Sequence, residues 1–363
     1  MIRFCLALIS AAAGLLVLLP LLLAGLPFVL VARLTSMIAR HLEPSALRWP
    51  QIFEFDPLLG WKAKSNLDCH LIEERDDIFH VVTDKFGWPG EATIAESEIV
   101  VFGDSHAWGY GVDHKATFSR LNPTLPVKAI GVPGYNLVQE LLLMEQLAHQ
   151  LKGKLVVWFV YTGNDLYDNL SPEMSGYRTP FVRQVNGKGE WEIVTRHLAP
   201  TKWRSSESAK LRRFYAVLPA LHSDTFLAQR AYSACEFLLR KGAKICRDAS
   251  ARLIVMSIPS PAALSESHMQ QLCVSRGFSK PVDPDLPDRK LGDICARHGI
   301  SFVALKQHMS ITHYKEHDDH WTEEGHQCIA EVLRRLYQDY RTTLLRSGSP
   351  GQFIKITEEH RDE

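Results

Sequence analysis

The sequence has no excess of charge of either sign: 41 Lys and Arg stand against 41 Asp and Glu in 363 residues. That balance excludes a polybasic arm, so no nucleic-acid partner is expected. It also lacks the low hydrophobicity of a disordered chain, since 46% of its residues are hydrophobic. No internal repeat is evident. Cysteine is scarce: the seven residues contain no CxxC spacing, and no HExxH occurs, so the usual zinc and redox signatures are missing. The six cysteines beyond residue 34 (Cys69, Cys235, Cys246, Cys273, Cys295 and Cys328) read as small buried apolar side chains rather than a disulfide framework.

Charge is also missing locally. Residues 4–31 contain no Asp, Glu, Lys, Arg or His, a stretch longer than the roughly 20 residues that span a bilayer and too long for the core of a cleavable signal peptide. Residues 1–34 are therefore expected to form a single transmembrane helix, with Pro20 and Pro27 tolerated as kinks. Arg33, Arg40 and Arg48 follow the span, whereas Arg3 and the terminal amine precede it. Positive-inside counting then places the large domain in the cytoplasm. Residues 35–95 read as a juxtamembrane segment, with an amphipathic surface helix over 34–49 followed by a lead-in.

Beyond the lead-in, short runs rich in β-branched residues recur at 99–102, 127–130, 155–161, 252–258 and 300–305. Each is bounded by turn residues, with helical stretches between, which predicts an α/β domain over 96–346 built on a five-stranded parallel sheet covered on both faces. Leu137, Leu141, Met144, Leu147, Ala148 and Leu151 form one helical stripe; Ile329, Val332, Leu333, Leu336 and Tyr340 form another. The long gap 166–251 reads as an insertion, polar over 171–200 and helical over 208–247, able to roof a site. Residues 347–363 read as a polar tail.

In an open parallel sheet, ligands bind beyond the carboxyl ends of the strands. The first run ends in Gly103-Asp104-Ser105-His106, which presents a hydroxyl at a strand-to-helix turn. The second ends in Gly131-Val132-Pro133-Gly134-Tyr135-Asn136, where glycines flanking a proline free a backbone N–H. The third ends in Gly163-Asn164-Asp165: Asn164 brings an amide donor for a developing oxyanion, and Asp165 a capping or orienting carboxylate. Near the C-terminus, Asp318-Asp319-His320 supplies an imidazole beside carboxylates, the base that a serine hydroxyl needs near neutral pH.

These four blocks, in this order, resemble the SGNH (GDSL-like) serine hydrolases, and Phe55-Asp56-Pro57-Leu58-Leu59-Gly60-Trp61 and Thr83-Asp84-Lys85-Phe86-Gly87 resemble the lead-in of membrane-anchored bacterial members. The resemblance implies a flavodoxin-like three-layer fold. It implies Ser105 as nucleophile, His320 as general base and then acid, and Asp318 as the triad acid in preference to Asp319. It further implies an oxyanion hole from the Ser105 N–H, the Gly134 N–H and the Asn164 side chain, with Asp104 and Asp165 supporting. No metal and no cofactor are expected. The implied substrate is an O-acylated small molecule or glycan ester, the protein being held to the membrane through its N-terminal helix; the resemblance implies a domain outside the cytoplasm, opposite to the positive-inside count, and the orientation stays open. Two other readings stay open at this level. One is a non-catalytic, membrane-tethered glycan-binding scaffold of the same fold. The other is a metal-dependent hydrolase built on His313, His317, His320 and His326 with Asp318 and Asp319.

Overall fold

Five apolar runs become strands, four of them buried on both faces and the edge strand Ser301–Ala304 on one, a setting that favours β-branched and aromatic side chains. They are β1 (Ile99–Gly103), β2 (Val127–Gly131), β3 (Leu155–Tyr161), β4 (Arg252–Ile258) and β5 (Ser301–Ala304). In the computed structural model, which describes residues 47–72, 77–174, 177–185, 189–200 and 218–347, they form one sheet in the order β2-β1-β3-β4-β5. All four pairings are parallel, with Val101 level with Ala129 on one side and Val157 on the other. This is the doubly wound order whose winding reverses between β1 and β3, so a crevice opens outside the carboxyl ends of those two strands.

Among the described residues seven helices accompany the sheet: α1 (Ser105–Trp108), α2 (Leu137–Leu147), α3 (Asp165–Asp168), α4 (Phe226–Asp248), α5 (Glu266–Ser275), α6 (Leu286–Arg297) and α7 (Glu323–Ser347). Alternation along the strands divides them between two layers. Ile99, Val101, Val157, Phe159 and Met256 share a core with the α7 stripe of Ile329, Val332, Leu333, Leu336 and Tyr340. On the opposite face the Trp158 indole donates to Glu140 of α2 at 2.6 Å. The same ring fills the space where a side chain on Gly242 of α4 would stand. Trp158, Phe102, Phe118 and Phe159 are among the largest fully buried side chains, each contributing roughly 1.5–3 kcal/mol by burial.

Helix α4 changes the expectation for residues 166–251. Within the helical part, α4 lies in the crossover from β3 to β4 and packs on Trp158 and Met144, so α4 belongs to the outer layer and does not roof the site. Its residues 208–217 lie outside the described part. The polar part contains a hairpin, Phe181–Val185 with Glu190–Val194.

The lead-in folds as two antiparallel hairpins, Phe53–Asp56 with Gly60–Ala63 and Asp68–Ile72 with Ile78–Val82. Asp56 Oδ1 accepts from the N–H groups of Leu58 (2.8 Å) and Leu59 (2.9 Å) and makes the first turn. The hairpin is tied to the sheet domain where Tyr135 donates to the Trp61 carbonyl at 2.9 Å and Gln139 to the Leu59 carbonyl at 2.7 Å. A second tie is ionic. Lys128, 1% exposed in the middle of β2, places Nζ 2.8 Å from Asp84 Oδ2. The other Asp84 oxygen accepts from Phe86 and Trp88 N–H and shapes that turn.

The anchor expected over 1–34 and the tail 348–363 lie outside the described residues. Among the described residues no helix is long and apolar enough to cross a membrane. The surface helix expected over 34–49 does not include its last residues: Leu47–Arg48 is extended and Trp49–Ile52 is a 3-10 turn. Pro50 accounts for this, since a residue without an N–H suits the first turn of a helix and not its interior. All six cysteines among the described residues are free thiols, four of them buried.

Candidate active site

Ser105 opens α1 directly after β1. Asp104 is the N-cap, its Oδ1 accepting from His106 N–H at 2.9 Å. The turn leaves no room for side chains beneath it: a methyl on Gly131 would lie 2.7 Å from the carbonyl oxygens of both Gly103 and Asp104. Here glycine is required by close approach. The Ser105 hydroxyl, 8% exposed, faces Asp104 Oδ2 at 3.4 Å, at the outer limit of a hydrogen bond. The Ser105 N–H, at the first position of a helix, has no partner within the helix.

Gly134 follows β2 at φ +82°, a left-handed conformation that side chains resist. Asn136 closes this loop with a capping box: its Oδ1 accepts from Val138 and Gln139 N–H at 3.0 and 3.1 Å, while Gln139 Oε1 accepts from Asn136 N–H at 3.0 Å. Its Nδ2 donates to the carbonyls of Asp168 (3.2 Å) and Pro180 (3.0 Å). The β2 and β3 loops are thus one hydrogen-bonded layer.

Asn164 follows β3. Its Nδ2 donates to Asp168 Oδ2 at 2.9 Å, which commits one of two N–H groups and orients the other. Sequence reasoning missed Asp168; its signal was the spacing of four residues across the first turn of α3. Asp165 is turned inward, its Oδ2 accepting from Tyr161 N–H at 2.7 Å, so it braces the strand end and does not face the crevice.

His320 comes from the loop before α7. Tyr314 and Trp321 form an antiparallel bridge across that loop, and Lys315 N–H donates to the His320 carbonyl at 3.0 Å. The buried Trp321 ring packs edge-on against His106 (4.8 Å) and Phe159 (5.9 Å), which seats the residue before it at the rim. His320 Nδ1 lies 2.8 Å from each oxygen of Asp318. A carboxylate there fixes the tautomer with the proton on Nδ1 and leaves Nε2 as the basic nitrogen. Asp319 plays a different part: its backbone carbonyl faces His106 Nε2 at 3.2 Å. The His320 ring lies 5.4 Å from the ring of His106, the neighbour of Ser105, and 4.7 Å from that of Tyr110. Hydroxyl and imidazole therefore sit at the same end of the sheet.

The other histidines of this region are spread out. His313 Nδ1 accepts from Ser310 N–H at 3.2 Å, His317 is exposed beside Glu316, and His326 is buried with Nδ1 accepting from Phe118 N–H at 3.3 Å. Among the described residues no three His, Cys, Asp or Glu side chains converge as metal ligands.

Three carboxyl groups lie buried behind the nucleophile. Burial raises the Asp104 carboxyl, but His106 and His320 outweigh it and hold the group below its ordinary range. Glu140 and Asp165 are pushed well up, by burial first and then by the Asp104 charge. Like charges in a low-dielectric interior push the pKa values of neighbouring carboxyl groups apart in this way.

A doubly wound sheet with a serine after β1, a glycine N–H after β2, an amide after β3 and an Asp-His pair before the last helix is similar to the SGNH (GDSL-like) hydrolases in architecture and in block order. No protein-family model matches the chain, and no curated protein matches it. Among solved structures the chain is similar to a GDSL-like lipase from Bacteroides thetaiotaomicron, at 13% identity over 69% of this chain and 91% of that one, with a TM-score of 0.37. It is also similar to TesA, at 13% identity over 65% of this chain and 96% of that one, again with a TM-score of 0.37. At that distance the chemistry has to be read from the residues themselves.

Proposed function

We propose that the protein is a serine esterase of the SGNH type that removes, or transfers, a small O-acyl group. The observation that carries this is the Asp318-oriented imidazole of His320 standing 5.4 Å, ring to ring, from the residue next to Ser105. His320 takes the Ser105 proton as Oγ attacks the ester carbonyl. The oxyanion accepts from the Ser105 N–H, the Gly134 N–H and the uncommitted N–H of Asn164. Collapse of the tetrahedral adduct breaks the bond to the alcohol, which leaves with the proton held by His320, and an acyl-enzyme remains. Water then gives an esterase; a sugar hydroxyl gives an acyltransferase.

The hydroxyl must first turn about Cα–Cβ from Asp104 towards His320, a move between staggered positions. The uncharged run at 4–31 supports a membrane anchor, and an anchored esterase outside the cytoplasm meets acylated envelope glycans and lipids. The decisive assay is hydrolysis of p-nitrophenyl acetate by the full-length protein. Ser105→Ala is expected to fall to near background, and Asn164→Ala to lose about a hundredfold or more in kcat. An unchanged rate in Ser105→Ala rejects the mechanism. The contact of Ser105 with Asp104 favours a second reading, a glycan-binding scaffold without turnover. Failure of Ser105 to react with a fluorophosphonate probe would establish that one.

A further inference from the structure

Ser105 and His320 come from distant parts of the chain, yet each has a neighbour that reaches the other side. His106 follows the nucleophile and Asp319 precedes the base. His106 Nε2 lies 3.2 Å from the Asp319 carbonyl oxygen, a contact across 213 positions of sequence. The second ring nitrogen, Nδ1, lies 3.1 Å from Asp104 Oδ1. The imidazole is 2% exposed and is held between the rings of Tyr161 at 4.4 Å and Trp321 at 4.8 Å. A carbonyl and a carboxylate can only accept, and a neutral imidazole has one N–H. Each ring nitrogen therefore faces an acceptor, one on either side of the ring.

We propose that His106 is a positioning residue, a two-sided clasp that ties the nucleophile turn at Asp104 to the Asp319 carbonyl and so holds His320 in register with Ser105. The clasp adjoins the nucleophile in sequence on one side, and its anchor adjoins the base on the other. The kinetic consequence rests on the esterase reading; the clasp itself does not.

Two amides separate the two bonds. An Asn side chain brings its nitrogen near the Nδ1 position and keeps the Asp104 side; a Gln side chain reaches the Nε2 position and keeps the Asp319 side. In the full-length protein, His106→Asn is expected to lower kcat on p-nitrophenyl acetate on the order of tenfold to a hundredfold, with KM within about twofold. His106→Gln is expected to retain most of kcat. Simple loss of ring packing would damage both variants alike. Hydrogen–deuterium exchange of the peptide covering residues 315–321 gives a readout independent of turnover: exchange rises in His106→Asn and returns towards wild type in His106→Gln. Equal kcat, or equal exchange, in the two variants overturns the clasp. A wild-type protein that neither hydrolyses the ester nor takes up a fluorophosphonate ends the esterase reading instead, and the exchange comparison still decides the clasp.

Discussion

Acid should weaken this protein through one histidine behind the site. His326 is 1% exposed, with its ring stacked 5.9 Å from Phe118 and edge-on to Trp321 at 5.4 Å. Nδ1 is occupied as an acceptor for Phe118 N–H. Burial, aided by the charges of His106 and His320, pushes its pKa down from 6.5 to about 3. The unfolded chain takes up a proton at this residue near pH 6.5, while the folded chain refuses it until near pH 3. Above 6.5 the residue makes no difference to stability. Between the two values the unfolded state binds more protons, so stability falls as the pH falls, by roughly 3 kcal/mol near pH 4.5. His326→Asn places a non-titrating oxygen where Nδ1 stands and keeps an acceptor for Phe118. The variant will be less stable at all pH values for the smaller side chain, but urea unfolding near pH 7 and near pH 4.5 should show a pH dependence flatter by that 3 kcal/mol. His222, which burial takes down to about 4, titrates equally in both proteins and cancels. Parallel pH dependences in wild type and variant would refute the reasoning.

The buried acid Glu140 predicts the opposite slope. Burial and then the Asp104 charge raise its pKa well above 4.5, so its stabilising protonated form is retained below 4.5 and stability is lost as pH rises through the folded value. Glu140→Gln keeps an acceptor for the Trp158 indole, which is 2.6 Å from the carboxyl in wild type. Thermal melts should show it at least as stable as wild type near pH 8, with the alkaline decline reduced. Gly131→Ala pushes a methyl to 2.7 Å from two carbonyl oxygens and 2.8 Å from Ala107 Cβ. It should cost roughly 1–3 kcal/mol in unfolding experiments and lower kcat, because those carbonyls belong to the Ser105 turn.

The sheet was legible because most of its strands are buried on both faces, where hydrophobic runs need no partner to be recognised. The stripes of α2 and α7 were legible for the related reason that one face of each meets the core. Residues whose meaning lies in a distant partner were not. Lys128 looks like an intruder in an apolar strand until Asp84 is found 44 positions earlier. The length of the gap 166–251 made its helical stretch read as part of an insertion, although Ala231, Leu238 and Leu239 of α4 are buried in the outer layer. At the site, sequence order marked which turns carry polar groups, since turns need Gly, Asn and Asp. It did not show orientation: Asp318 and Asp319 are equivalent as letters, yet one offers its carboxylate to His320 and the other its backbone carbonyl to His106. Asp165 sits in a block with Asn164, and only the chain geometry turns it inward.

The pairing of Lys128 with Asp84 also determines where the protein can be cut. A fragment starting at residue 96 would keep every strand of the sheet and α1, yet it would leave an ammonium in β2 with its carboxylate removed, together with the indole of Trp88 that lies 5.8 Å from Nζ. The carbonyls of Trp61 and Leu59, which accept from Tyr135 and Gln139, would go as well, and hydrogen bonds worth about 1 kcal/mol each are a real share of what an ordinary domain has in reserve. Residues 53–95 therefore fold as part of the sheet domain, with Asp84, in the turn after the second hairpin, as the counter-ion of the second strand.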